Sequence, residues 1–267
     1  MKKISIIFGT RPEAIKLCPL ILALKQHPME VDCRVCVTGQ HKEMLKQVLE
    51  VFGVEPDTDL QLMQPNQTLG ELTARAIERL DTYFAAEQPD IAIVQGDTTT
   101  VLAGALAAFY HKIPVAHIEA GLRTGDMLSP WPEEVNRVLT THLAHWHFCP
   151  TEASRQNLLQ EGVSTDHIHV TGNTVIDALH WALEHSRARA IPIRGMSDEM
   201  VNSFTQKRMV LITGHRRENF GDGFRHICEA IVTLAQNFPD VEFVYPVHLN
   251  PNVQQPVRGI VGEANLV

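Results

Sequence analysis

Short apolar runs alternate with helix-patterned segments along this chain, and that alternation leaves few folds open to it. Residues 3–8 read as a strand. Residues 13–26 read as a helix, with Ile15, Cys18 and Leu22 at helical spacing and Pro19 as a point where it can kink. Residues 31–37 form a strand and 42–52 a helix; 69–86 form a long amphipathic helix carrying Leu72, Ala76, Leu80 and Phe84. Strands at 91–94, 113–118 and 145–149 then alternate with helices at 99–110 and 133–143. A helix at 154–161, a short strand at 168–170 and a helix at 175–185 follow. Repetition of this kind predicts an α/β fold with a mostly parallel, doubly wound sheet.

The pattern restarts after a connection at 186–197 that holds Pro192 and Gly195. A strand begins at 210–212, a helix spans 223–237 and another strand 241–247. The chain therefore divides into a Rossmann-like domain at 1–175 and a second one at 176–267, with the boundary near 173–177 or in the connection after it. The second domain holds fewer strands than a doubly wound half normally has, so it reads as incomplete.

A length of 267 residues suits one large or two ordinary domains. The balance of 44% hydrophobic and 20% charged residues is that of a globular protein. A net charge of −8 argues against a nucleic-acid partner, because no domain-wide basic excess exists to neutralise phosphates. It leaves room for a local basic pocket. No apolar run approaches the length of a membrane span. The opening MKKISIIFGTRPEA has a basic start, but its apolar run is short and Arg11, Glu13 and Lys16 follow at once. It reads as the first strand of a cytoplasmic fold and not as a signal peptide. The five cysteines are odd in number and irregular in spacing, which disfavours a disulfide framework. Cys33 and Cys36 have zinc-like spacing, but on a strand residues three apart face opposite sides, and no second pair lies near. The fourteen histidines, His142, His145 and His147 among them, read as structural or surface residues, and no metal site is expected.

Candidate chemistry gathers where strands end. The stretch IPVAHIEAGLRTGDMLSPWPEE, 113–134, opens as a strand and then places Glu119, Arg123, Asp126, Glu133 and Glu134 in a Gly- and Pro-punctuated loop. Loops beyond the carboxyl ends of parallel strands are where open α/β sheets bind ligands. Carboxylates with one Arg among them fit acid/base work beside an anion. The plain alternative is a solvated loop. Leu122, Met127 and Trp131 are expected to draw the loop against the protein and so shift the pKa values of its charges. At GTRPEAIK, Thr10 and Glu13 make a capping box and Pro12 suits a first helical turn. Helix N–H groups with Arg11 and Lys16 would form an anion pocket; an ordinary capped helix with surface cations is an equal reading. In QGDTTT, spacing alone favours Asp97 as a helix cap, against a second reading in which it serves the cleft at a strand end. In TGHRREN, His215 stands beside Arg216 and Arg217, fit to bind a phosphate or to protonate a leaving group, unless the turn is merely solvated. The strand-end loops GTRPEAIK, QGDTTT and TGHRREN, with matching chemistry, are expected to line one cleft between the domains.

Together GTRPEAIK, QGDTTT, HIEAGLRTGD, PWPEEVNR, TGNTVIDAL, TGHRREN and PVHLNPNV, in this order along essentially the whole chain, resemble the non-hydrolysing bacterial UDP-N-acetylglucosamine 2-epimerases. The resemblance implies a fold of glycosyltransferase-B type, two Rossmann-like domains of which the second is incomplete here. It implies interconversion of UDP-N-acetylglucosamine and UDP-N-acetylmannosamine without NAD, a metal or any other cofactor. UDP departs from C1 as the C2 proton is lost, leaving a glycal; UDP then re-adds and C2 is protonated from the opposite face. By the same resemblance, Arg11 and Lys16 would lie at the phosphates, Asp97, Glu119 and Glu133 at the sugar, and His215 at the diphosphate. Which carboxylate removes the proton stays open. A second UDP-N-acetylglucosamine would act as activator near Gln40, Glu43, Arg216 and His248. A cytoplasmic homodimer is implied, without membrane or nucleic-acid partners. It would serve surface polysaccharides such as enterobacterial common antigen, capsules or teichoic-acid linkage units.

The family's distal Ser-Gly-Gly turn and following Glu, which grip the uridine and ribose, have no counterpart in this sequence. For the chain as given, the expectation is therefore little or no turnover and weak UDP binding. Two rivals accompany the epimerase reading: a glycosyltransferase of the same fold, and an inactive truncated product.

Overall fold

The computed structural model describes residues 1–39, 42–188, 197, 199, 202, 204, 206–214, 221–247 and 251–262. It separates into two units, Met1–Ala188 and Arg189–Val267. The first is built on a sheet of seven strands: β1 (Lys2–Phe8), β2 (Val31–Val37), β3 (Thr58–Asp59), β4 (Ile91–Gln95), β5 (Val115–Ile118), β6 (Trp146–Cys149) and β7 (Ile168–Val170). Between and after them come α1 (Arg11–Lys25), α2 (Lys42–Phe52), α3 (Leu69–Glu87), α4 (Thr99–Tyr110), α5 (Glu133–Leu143), α6 (Glu152–Gln160) and α7 (Val175–Ala188). All neighbouring pairs are parallel, in the order β3-β2-β1-β4-β5-β6-β7. The two-residue β3 is the one strand of this sheet that periodicity did not reveal; it is too short to show an alternation.

Both faces of the sheet are covered, as a parallel sheet requires. On β1, Ile6 and Phe8 pack with Leu17, Ile21, Leu45 and Phe52, on the side of α1 and α2. Ile7, on the opposite face, packs with Leu80, Phe84 and Val101, on the side of α3 and α4. Cys36 joins that second cluster and Cys33 the first, so the zinc-like pair is indeed split by the sheet. Thr10 caps α1, with the capping box formed to Glu13, and the helix runs unbroken through Pro19 to Lys25. Helix α7 packs against α1, and Trp181 stacks on Phe52 with ring centroids 4.3 Å apart.

Gly121 shows how closely the turn after β5 approaches α6. Its φ is +85°, and a Cβ built there would lie 2.3 Å from the Ser154 carbonyl oxygen. Gly121→Ala is expected to destabilise the unit by more than about 1 kcal/mol, through strain and collision together. Urea unfolding tests this, and an unchanged midpoint would refute the close approach.

The second unit carries β8 (Arg208–Leu211) and β9 (Val241–Val244), paired in parallel, with α8 (Asp222–Asn237) and α9 (Pro251–Val261). Phe224, Cys228, Val253 and Val257 form its core, and the Tyr245 hydroxyl donates to the Gly214 carbonyl at 2.5 Å. Among the described residues no helix is long and apolar enough to cross a membrane.

Candidate active site

Strand order reverses between β1 and β4, the switch point at which doubly wound sheets open a crevice beyond their carboxyl ends. A cleft of about 280 Å3 lies there. Lys16 reaches it from α1, Asp97 and Glu119 from the turns after β4 and β5, and Arg137 from α5.

Glu13 joins the turn after β1 to the turn after β4. Its Oε2 accepts from the Gly9 and Thr10 N–H groups at 2.9 and 2.6 Å, and its Oε1 accepts from the Thr98 hydroxyl at 2.6 Å. Burial pushes this carboxyl up from its ordinary value, while the same hydrogen bonds pull it down.

The expectation that Asp97 caps α4 is corrected. Thr98 is the N-cap, its hydroxyl accepting from the Val101 N–H. The hydroxyl one residue later satisfies the helix end, which leaves the Asp97 carboxylate for the cleft. The backbone of its turn is clamped twice: His117 Nε2 donates to the Gly96 carbonyl at 2.7 Å, and Asn136 Nδ2 donates to the Asp97 carbonyl at 2.8 Å. Burial pushes the Asp97 carboxyl up; Arg137 and Lys16 pull it down, and Glu133 and Glu119 add to the rise. Arg137 Nη2 lies 3.4 Å from Asp97 Oδ2.

Glu119 follows β5 directly with φ +65°, a left-handed conformation uncommon outside glycine and worth about 1–3 kcal/mol of strain. Its carboxylate is surrounded by donors. Lys16 Nζ lies 2.5 Å from Oε2, Gln95 Nε2 donates to the same oxygen, and Asn173 Nδ2 donates to Oε1 at 2.8 Å. Backbone strain held in place by three side chains is a mark of a functional position.

The loop from Glu119 to Pro132 corrects a second expectation. Leu128 and Trp131 are 75% and 62% exposed, and Leu122 and Met127 also face solvent. Polar ties hold the loop instead. Arg123 Nε and Nη2 donate to Glu161 at 2.6 and 2.7 Å, and Nη2 also reaches the Thr141 hydroxyl. Buried Glu134 accepts from the Thr124 and Gly125 N–H groups at 2.9 and 3.0 Å.

The sequence candidates are thus sorted. Lys16, Asp97 and Glu119 share the cleft, and half-buried Glu133 lies near enough to raise the Asp97 pKa. Lys16 is committed to Glu119 and does not stand open as a free cation. Arg11 is exposed, is not among the cleft's lining residues and makes no ion pair among the described residues. Glu43 lies on α2. Gln40, His215, Arg216 and His248 lie outside the described residues. Sequence reasoning missed Gln95, Arg137 and Asn173 as partners of the carboxylates. A signal existed for Arg137: Glu133, Asn136 and Arg137 stand at i, i+3 and i+4, one face of a helix.

A strained, donor-rich carboxylate beside one whose pKa is raised fits acid/base chemistry on one substrate. A family model described as UDP-N-acetylglucosamine 2-epimerase matches residues 22–267. The chain belongs to the UDP-N-acetylglucosamine 2-epimerase family. The UDP-N-acetylglucosamine 2-epimerase of Salmonella typhimurium is 53% identical over 269 aligned residues, covering 99% of this chain and 70% of that protein. The Neisseria meningitidis UDP-GlcNAc 2-epimerase, solved bound to UDP-GlcNAc, superposes with a TM-score of 0.86 at 49% identity, over 97% of this chain and 69% of that one. The Methanocaldococcus jannaschii epimerase, solved with UDP-GlcNAc and UDP, gives a TM-score of 0.75 at 35% identity, over 97% and 69% of the two chains.

Proposed function

We propose that this chain interconverts UDP-N-acetylglucosamine and UDP-N-acetylmannosamine, with Lys16, Asp97, Glu119 and Glu133 as its acid/base and anion-handling groups. C2 of the sugar is not beside a carbonyl, so its proton is hard to remove directly. In the elimination, the C1–O bond breaks and its electron pair leaves with UDP, while a carboxylate takes the C2 proton to leave the glycal. The reverse addition returns UDP to C1 and a proton to the other face of C2. The observation that carries this reading is the meeting of Asp97, Glu119 and Lys16 in one cleft at the sheet's switch point. Carboxylates from separate strand ends can serve separate faces of a ring. Arg11, at the start of α1, and His215, after β8, are assigned to the departing diphosphate, where fixed positive charge stabilises the leaving group. Gln40, Glu43, Arg216 and His248 are assigned to an activating nucleotide sugar. A homodimer in the cytoplasm, feeding surface polysaccharide, completes the reading.

Incubation of the chain with UDP-N-acetylglucosamine in deuterated water tests this. Deuterium is expected at C2, and its appearance is expected to depend on Asp97. Absence of incorporation would sink the proposal in favour of an inactive product. UDP release that requires an added acceptor sugar would favour a glycosyltransferase.

A further inference from the structure

We propose that Arg137 is a positioning residue for proton transfer at C2, holding the Asp97 carboxylate in the cleft and tying its placement to the 121–132 loop through Glu134. This rests on the epimerase reading of the same site. Arg137 is largely buried on α5, and its guanidinium faces two carboxylates at once. Nη2 lies 3.4 Å from Asp97 Oδ2, and Nε lies 3.0 Å from Glu134 Oε2; the second contact is an ion pair without hydrogen-bond geometry, so it acts through charge. Glu134 is itself buried, and its other oxygen takes the N–H groups of Thr124 and Gly125. One turn of α5 therefore connects the loop backbone, through Glu134 and Arg137, to the Asp97 side chain. The same turn fixes the Asp97 backbone through Asn136.

The charges around Asp97 make such a brace necessary. Glu119 faces it from the end of β5 and Glu133 from α5, both repelling; Lys16 faces it from α1 and Arg137 from α5, both attracting. Lys16, however, is engaged by Glu119 at 2.5 Å. Arg137 is thus the cation most directly committed to Asp97, and it stands first among the charges that lower the Asp97 pKa. A planar guanidinium can serve two carboxylates from one side chain, which a lysine ammonium at the end of a flexible stem does poorly.

The test uses Arg137→Met and Arg137→Lys in the full chain, with two readouts. Carbon-13 NMR follows the aspartate carboxyls, the Asp97 signal being assigned by its loss in Asp97→Asn. Asp97 is expected to titrate at higher pH in Arg137→Met than in the wild type, and near the wild-type pH in Arg137→Lys. In C2–H exchange, kcat is expected to fall by up to about a hundredfold in Arg137→Met with KM little changed, the scale of a misplaced reacting group. If Arg137→Met does not fold, Arg137→Lys decides: its charge is kept, so a fall in kcat with unshifted titration supports positioning, and full kcat overturns it. An unmoved Asp97 titration in Arg137→Met beside normal wild-type exchange sinks the Arg137 assignment alone. A wild-type chain that exchanges nothing sinks the epimerase reading and this role with it.

Discussion

Replacing Glu119 with Gln is expected to slow C2 exchange by about a hundredfold or more, the usual scale of a lost acid/base group. The geometry gives a reason beyond the missing charge. Both carboxylate oxygens of Glu119 face donors: Lys16 and Gln95 on one, Asn173 on the other. A glutamine must turn its NH2 toward one side, where it meets another donor and no acceptor. Whichever way it turns, one partner is displaced, and a displaced donor in a partly buried site costs about 1–3 kcal/mol. The loss therefore falls on the arrangement as well as on the charge. Glu133→Gln is expected to show a loss on the same scale in exchange, through the charge that Glu133 places beside Asp97. Rates within a fewfold of wild type for either variant would remove that carboxylate from the mechanism. The measurement is single-turnover exchange in deuterated water, run beside a full-length relative carrying the same substitutions.

How far these features were legible beforehand follows from the range over which each is decided. The alternation of strands and helices is written locally, because a parallel strand buried on both faces is a short continuous apolar run. The runs at β1, β4 and β5 therefore stood out, while the two-residue β3 did not. The capping box at Thr10 and Glu13 is decided within four residues and could be read directly. The placement of Asp97 was harder. Asp97, Thr98 and Thr99 are all competent to cap, and only the path of the chain decides that Thr98 does so. Glu119 was legible as a strand-end carboxylate, but its donors come from α1, the end of β4 and the turn after β7. Such long-range convergence leaves no local spacing to read. The loop after Glu119 misled for the opposite reason: Trp131 and Met127 are apolar, yet what anchors the loop is Arg123 with Glu161 and Glu134 with two backbone N–H groups. Apolar side chains in a loop do not reveal which surface, if any, receives them.

The chain is expected to lose stability steeply as pH falls from about 6.5 toward 4, because two histidines are buried without charge inside its first unit. His117 on β5 and His147 on β6 are partners in register across the sheet. Burial, first of all, pushes both pKa values down from 6.5 to about 4. Arg123 and Arg137 lower His117 further, while its hydrogen bond to the Gly96 carbonyl opposes the shift. For His147 the neighbouring His117, His167 and Arg123 lower it further, and a hydrogen bond with the Ala144 backbone opposes. Among the described residues Nδ1 of each ring is buried without a hydrogen-bond partner, so protonation would leave an unpaired cationic N–H in the interior. The unfolded chain takes up these protons near 6.5, and the folded chain resists until about 4. The folded state thus holds its full advantage above 6.5 and loses it as pH falls through that window. Each histidine accounts for about 3 kcal/mol, at one pKa unit per roughly 1.4 kcal/mol. That is a large share of the roughly 5–15 kcal/mol that holds a typical domain folded. Glu13 and Asp97 work the other way, since their raised pKa values favour the folded state as they take up protons. Variants separate the two signs. Urea midpoints measured between pH 7 and 4.5 are expected to fall for the wild type and to fall less for His147→Phe, whatever the variant loses at pH 7. Because His117 also holds the turn that carries Asp97, substrate binding is expected to weaken over the same window in which the unit loosens. A wild-type midpoint that stays level down to pH 4.5 would show that the two rings accept protons in place, and the account of a buried neutral pair would fall.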